Sequence, residues 1–160
     1  MLDRLYTHFV KYFPAYLWFL AGIVIFGRYY MLTINVSDSL PGTFYLIEKG
    51  VMPDKGELAG FVYTNDWPHT AGTIFVKTIR GIPGSKVTID GRHFNVDGIY
   101  AGHAKPFSKQ GRSLEIGMIG IIPENHYYMS APHPDSLDSR YALVGWVSKD
   151  RIIGRAIQLF

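Results

Sequence analysis

Hydrophobic residues are spread unevenly along this chain. One long apolar run lies near the N-terminus, and the remainder of the chain is cut into short β-prone pieces by turn residues. Between Lys11 and Arg28 stand sixteen uncharged residues, YFPAYLWFLAGIVIFG. That is a little short of the roughly 20 needed to cross a bilayer, but Arg28 can snorkel, and Tyr29, Tyr30, Met31 and Leu32 prolong the run. Tyr12, Phe13, Tyr16 and Trp18 at one end, with Tyr29 and Tyr30 at the other, are placed like interfacial aromatic belts. No small-x-small cleavage site comes after it. The pattern predicts an uncleaved single-pass anchor over residues 1–32, against the alternatives of a cleaved signal peptide and a buried core helix. Arg4 and Lys11 precede the run and only Arg28 follows it closely. The positive-inside rule therefore favours a cytoplasmic N-terminus, with residues 33–160 on the far side of the membrane.

Beyond residue 33 the pattern predicts strands over 43–47, 57–63, 73–80, 86–89, 92–96, 118–122, 127–130, 143–147 and 152–159. Asp90-Gly91 is a two-residue hairpin signal, and Gly81-Ile-Pro-Gly84 closes another strand. Residues 101–111 contain Pro and Gly without periodicity and predict a surface loop. No internal repeat and no second amphipathic helix is visible. The expectation is a mostly β protein: one transmembrane helix followed by a small coiled sheet or barrel.

Composition narrows the functional classes. Hydrophobic residues make up 48% of the chain and aromatics 15%, ample for a packed core. The formal net charge is +3 with the basic residues scattered, which argues against a nucleic-acid surface. Without cysteine there is no disulfide, zinc-thiolate site or thiol nucleophile. The six histidines, at 8, 69, 93, 103, 126 and 133, show no HExxH spacing and read as solvated loop residues. His133, Asp135 and Ser136 lie too close in sequence to form a catalytic triad easily. No metal or cofactor is expected.

Two segments carry candidate chemistry. In the strand 73–80, alternation places Phe75, Lys77 and Ile79 on one face. A lysine between two large apolar side chains loses hydration, its ammonium is disfavoured, and it becomes a usable general base. On this strand alone, a half-exposed edge lysine is the plainer account. In Val36-Ser-Asp-Ser-Leu-Pro-Gly-Thr43, Pro41-Gly42 enforces a turn that holds Ser37 and Ser39 near the membrane. A serine hydroxyl needs a base to become a nucleophile, and a neighbouring hydroxyl and backbone N–H can bind the oxyanion it creates. Taken alone, such a stretch is more often only a turn.

Together, Ser37-Asp-Ser-Leu-Pro-Gly-Thr43, Phe75-Val-Lys-Thr-Ile-Arg-Gly-Ile-Pro-Gly-Ser-Lys-Val87, Asp135-Ser-Leu-Asp-Ser-Arg-Tyr141 and Ile153-Gly-Arg-Ala156 resemble the type I signal peptidase family. The boxes occur in order after an anchor and cover nearly the whole chain. The resemblance implies a Ser39–Lys77 dyad, an oxyanion hole from Ser37 and the Ser39 backbone N–H, and Ser136 as the residue that orients the lysine. It also implies an Asp138–Arg140 ion pair that braces the site, and an electrostatic contribution from Asp135 or Asp138 is a further option. The turn before the Asp135 box is Ser130-Ala131-Pro132 rather than Gly-Asp-Asn, and Ala142-Leu-Val144 looks inserted. These departures, the small domain and Leu40-Pro-Gly-Thr43 resemble the conjugative TraF-type branch, which processes pilins.

The expected function is that of a membrane-anchored serine endopeptidase. It would cut a membrane-inserted precursor, such as a pilin, outside a bacterial inner membrane, in the periplasm, and the acyl-enzyme would be resolved by water or by the substrate's own amine. The expected partners are that precursor and the bilayer, with no nucleic acid, and the enzyme is expected to be a monomer. Ser39 lies only 7 to 12 residues past the apolar run, at most about 25–43 Å when fully extended, so the cut bond should lie close to the bilayer. A general secretory signal peptidase is the rival within the class. A non-catalytic anchored β-domain that scaffolds an envelope assembly is the rival outside it.

Overall fold

The apolar run does form a helix, α1 (Leu2–Tyr29), of 28 residues with Pro14 inside it. At 1.5 Å per residue it is about 42 Å long, enough to cross a bilayer with its headgroups. Its most apolar stretch of 18 residues has a mean hydropathy of 1.7, and none of that stretch is buried against the rest of the chain. The structure, a computed structural model, describes residues 2–35, 37 and 39–160, so Val36 and Asp38 of the serine-bearing segment lie outside the described residues.

The helix ends earlier than hydropathy suggests. Tyr30, Met31 and Leu32 belong to β1 (Tyr30–Ile34), which pairs antiparallel with β2 (Phe44–Lys49) from Tyr30↔Glu48 to Ile34↔Phe44. The apolar residues of a sheet edge and of a membrane helix are alike in composition, and only the pairing separates them. Seven strands make the main sheet, in the order β1-β2-β11-β3-β4-β9-β10. The others are β3 (Leu58–Val62), β4 (Ile74–Gly81), β9 (His126–Ser130), β10 (Val147–Ser148) and β11 (Ile152–Gln158). Every pairing is antiparallel. Burial alternates with period two: Tyr45 and Ile47 on β2, Ala59 and Phe61 on β3, and Lys77 and Ile79 on β4 face inward. Ala59, Phe61, Tyr63, Ile79, Met129, Val144 and Val147 form the core beneath this sheet.

A second sheet, in the order β7-β6-β5-β8, comprises β5 (Lys86–Asp90), β6 (His93–Val96), β7 (Ile99–His103) and β8 (Gly120–Ile121). It builds its own core from Val87, Phe94, Val96, Ile122, Tyr128 and Tyr141. The Asp90-Gly91 hairpin forms between β5 and β6, as the pattern predicts.

Three readings are corrected. The predicted loop at 101–111 begins as β7, because Asp97 (φ 51°) and Gly98 (φ 78°) make a second tight turn with positive φ at both residues. The predicted strand at 143–147 is mostly turn, closed by hydrogen bonds from Val144 N and Gly145 N to Tyr141 O. His93, His103 and His126 sit in strands rather than loops. The expected mostly β architecture with one N-terminal apolar helix holds.

Candidate active site

Ser39 enters the site from the turn between β1 and β2. Asn35 extends the β1–β2 ladder by one rung, its N–H donating to Thr43 O at 2.8 Å. The far side of the turn is held by the C-terminus, where Phe160 O accepts from Thr43 N at 2.6 Å and Phe44 N at 3.3 Å. The Tyr45 hydroxyl donates to Pro41 O. Gly42 has φ 89°, and a Cβ there would come within 2.6 Å of Phe160 O. A side chain is excluded by both backbone conformation and space. The turn therefore fixes the serine rather than merely joining two strands.

Lys77 comes from β4, opposite Ala59 of β3, and is 5% exposed. Its Nζ donates to Ser39 Oγ at 2.8 Å and lies 5.7 Å from the centre of the Phe75 ring. Burial lowers its pKa from 10.5 to about 8, with Asp138 pulling it up and Arg140 pushing it down. Ser37 Oγ lies 2.7 Å from Ser39 Oγ. Ser37 is exposed and Ser39 buried, so the pair spans the step from solvent to the lysine.

The other expected residues come to the same place but differ in what they touch. Ser136 is 2% exposed and lines the cleft beside Lys77. Its hydroxyl has no hydrogen-bond partner among the described residues, so it does not hold the lysine in this state. Asp138 and Arg140 are buried together, with Arg140 Nε on Asp138 Oδ1 at 2.8 Å and Nη2 on Oδ2 at 2.7 Å. The guanidinium also donates to His103 O, His133 O and Ser136 O, and Asp138 Oδ2 accepts from Ala131 N. This pair knots the Ser130–Arg140 connection to the second sheet. Asp135 lies on the cleft rim, paired with Lys105 and, at 3.3 Å, with Lys109; these hydrogen bonds hold its carboxyl below the usual range.

Sequence reasoning passed over Asn35 and read His69 and His133 as solvated loop residues, yet all three line the cleft as well. Only the Asn35 position, two residues before Ser37 in a turn, carried a local signal: Asn side chains bond to backbone just ahead of them. His69 packs edge-on to Phe75 from the β3–β4 loop and was not visible without the fold. Among the described residues, no three His, Asp or Glu side chains converge as metal ligands.

The cleft has a volume of about 370 Å³ and runs between Thr33–Asn35 and Ile74–Lys77. Both walls are backbone edges. β1 is the end strand of the sheet, and β4 pairs with β9 only from Thr78 onward, which leaves Ile74–Lys77 free on that side.

The chain thus joins an apolar helix to a β-domain in which a buried lysine is hydrogen-bonded to a serine at an open cleft. The pattern of the signal peptidase family, peptidase S26, matches residues 6–160, and the chain belongs to that family, whose members are serine peptidases acting on precursor proteins. Solved structures similar to it include the crystal structure of a signal peptidase I from Enterococcus faecalis V583. It shares 22% identity, with 64% of this chain and 95% of that chain covered and a TM-score of 0.43. No curated protein matches the chain.

Proposed function

We propose that Ser39 is the nucleophile and Lys77 the general base of a membrane-anchored endopeptidase that cuts a precursor protein beside its own membrane segment. The observation that carries this reading is the 2.8 Å bond between Lys77 Nζ and Ser39 Oγ in a site where the lysine is 5% exposed. Neutral Lys77 takes the Ser39 proton as Oγ attacks the carbonyl carbon. The oxyanion accepts hydrogen bonds from Ser37 Oγ and Ser39 N. As the intermediate collapses, the Lys77 ammonium protonates the departing amine and leaves an ester on Ser39. Ser136, whose buried hydroxyl has no partner among the described residues, is suited to receive that ammonium while the proton is held.

The substrate lies extended between the β1 edge and the free part of β4, adding main-chain hydrogen bonds to both. Water resolves the ester to two chains. If the substrate's own amine attacks instead, a peptide bond forms and the product is cyclic. We assign the substrate to the pilin class, on the small domain, Leu40-Pro-Gly-Thr43 and the altered turn at Ser130-Ala131-Pro132. The catalytic domain, residues 33–160, then works as a monomer on the periplasmic face of the inner membrane.

The test is mass spectrometry of a co-expressed candidate pilin with the full-length enzyme. Wild type should give a shortened product and Ser39→Ala the intact precursor. A cyclic product weighs one water less than the linear fragment. Processing by folded Ser39→Ala overturns the mechanism, and cleavage of general secretory precursors but not of the pilin favours the housekeeping alternative.

A further inference from the structure

We propose that Asn35 is a positioning residue for the oxyanion hole: its side-chain amide holds the Ser37 hydroxyl against Ser39 and parks the Ser37 proton until an oxyanion forms. This rests on the Ser39–Lys77 reading above.

Every hydrogen-bonding position of the Asn35 amide is used. Oδ1 accepts from Ser37 N at 3.2 Å and from Ser37 Oγ at 3.0 Å. Nδ2 donates to Leu40 O at 2.9 Å and to Gly42 O at 3.2 Å. The reverse amide orientation would set an oxygen against two carbonyls, so these bonds fix the assignment. One side chain thus holds both flanks of Ser39, and it is itself set by the backbone bond from Asn35 N to Thr43 O.

These bonds set the proton directions. An amide oxygen has no proton to give, so the single Ser37 hydroxyl proton points at Asn35 Oδ1. The 2.7 Å contact between the serines must then be a donation from Ser39 to Ser37 Oγ. Lys77 Nζ donates to Ser39 Oγ. The resting chain therefore runs from Lys77 through Ser39 and Ser37 to Asn35, with both serine protons turned away from their catalytic partners. When Lys77 is neutral its lone pair draws the Ser39 proton, and Ser37 Oγ loses the bond it was accepting. A charged oxyanion is a stronger acceptor than a neutral amide oxygen, so the Ser37 proton passes from Asn35 to the oxyanion as charge develops. Because the hydroxyl oxygen is already in place, only its proton has to turn.

A double-substitution cycle in kcat tests this, using full-length enzyme in detergent and the precursor that wild type cleaves. Asn35→Ala should lower kcat by about tenfold or more, toward the 10²–10³ typical of a lost oxyanion donor, with little change in KM. In a Ser37→Ala background the same substitution should cost less than about threefold, since there is no hydroxyl left to place. If Asn35 only closes the turn through Leu40 O and Gly42 O, the loss is equal in the two backgrounds and the inference fails. Asn35→Ser, too short to reach both flanks, runs through the same cycle should Asn35→Ala melt at the assay temperature. Ser39→Ala is measured alongside. If it is inactive, the cycle alone decides the role of Asn35. If it cleaves at the wild-type rate, the dyad reading falls and this inference falls with it.

Discussion

A lysine ammonium makes three hydrogen bonds in water. Among the described residues Lys77, 5% exposed, is given one, from Nζ to Ser39 Oγ. Burial therefore lowers its pKa to about 8. At neutral pH roughly one molecule in ten then carries the free base, against about one in 2,500 for an ordinary lysine. Cleavage should rise with pH through a limb near 8, measured as kcat/KM of the membrane enzyme. A limb left near 10.5 would remove Lys77 from the role of base. The same burial destabilises the fold. Below pH 8 native and unfolded chains are both protonated, and the native one bears the whole desolvation cost. Between 8 and 10.5 only the unfolded chain keeps the proton, so stability rises with pH until the cost is gone. Lys77→Met should thus abolish cleavage yet raise stability by on the order of 3 kcal/mol below pH 8, the gain fading above it. Denaturation at two pH values checks both the size and the sign.

The connection between β9 and β10 is held by a buried ion pair as well as by its apolar residues Ala131, Tyr141 and Val144. Arg140 is 1% exposed and Asp138 0%, and the guanidinium gathers carbonyls from His103, His133 and Ser136. Asp138→Ala leaves a buried cation without its carboxylate and should cost about 3–5 kcal/mol in a denaturant melt. Replacing both partners by apolar residues, as in Asp138→Leu with Arg140→Met, should cost much less. Asp138 also pulls the Lys77 pKa up. Its loss should therefore move the pH limb of any surviving activity downward, and an unmoved limb would make the pair a brace alone. This element was half legible. The family resemblance carried by Asp135-Ser-Leu-Asp-Ser-Arg-Tyr141 implied the pair, but the carbonyls it gathers come from residues as far away as His103.

For the molecule as a whole, the question is how the edge-strand cleft is joined to the apolar helix. The helix runs directly into β1, with Lys49 Nζ on Gly27 O at 2.6 Å tying their junction to β2. The cleft is therefore coupled to the apolar helix through five residues of strand and the Asn35 turn. A chain truncated to begin at Tyr30 keeps β1 and should cleave a soluble peptide version of the precursor. It should process the membrane-inserted form at least about tenfold more slowly, because the raised effective concentration of a shared bilayer is lost. Equal rates on the two forms would show that the anchor does not serve catalysis. Fusion after Phe160 tests the side: alkaline phosphatase should be active and a cytoplasm-dependent fluorescent protein dark. The opposite pattern would put the cleft in the cytoplasm.

What the sequence determined by itself were the features set by neighbours in the chain. The apolar run, the Asp90-Gly91 hairpin and the shared strand face of Phe75, Lys77 and Ile79 all arise from local periods and turn chemistry, whereas the burial of Lys77 on that face does not. The family resemblance added the pairing of Ser39 with Lys77, which no spacing could have shown across 38 residues. The tertiary structure alone decided the rest. β11 lies between β2 and β3, which brings Phe160 against the Ser39 turn, and β1 captures residues that hydropathy assigns to the membrane. Only the packed site shows that the Ser136 hydroxyl lacks a partner among the described residues and that Asn35 fills both of its faces. The reason is physical: a hydrogen bond between side chains depends on register, strand order and the direction of each turn. Those are fixed by the whole set of non-local contacts at once, not by the residues on either side.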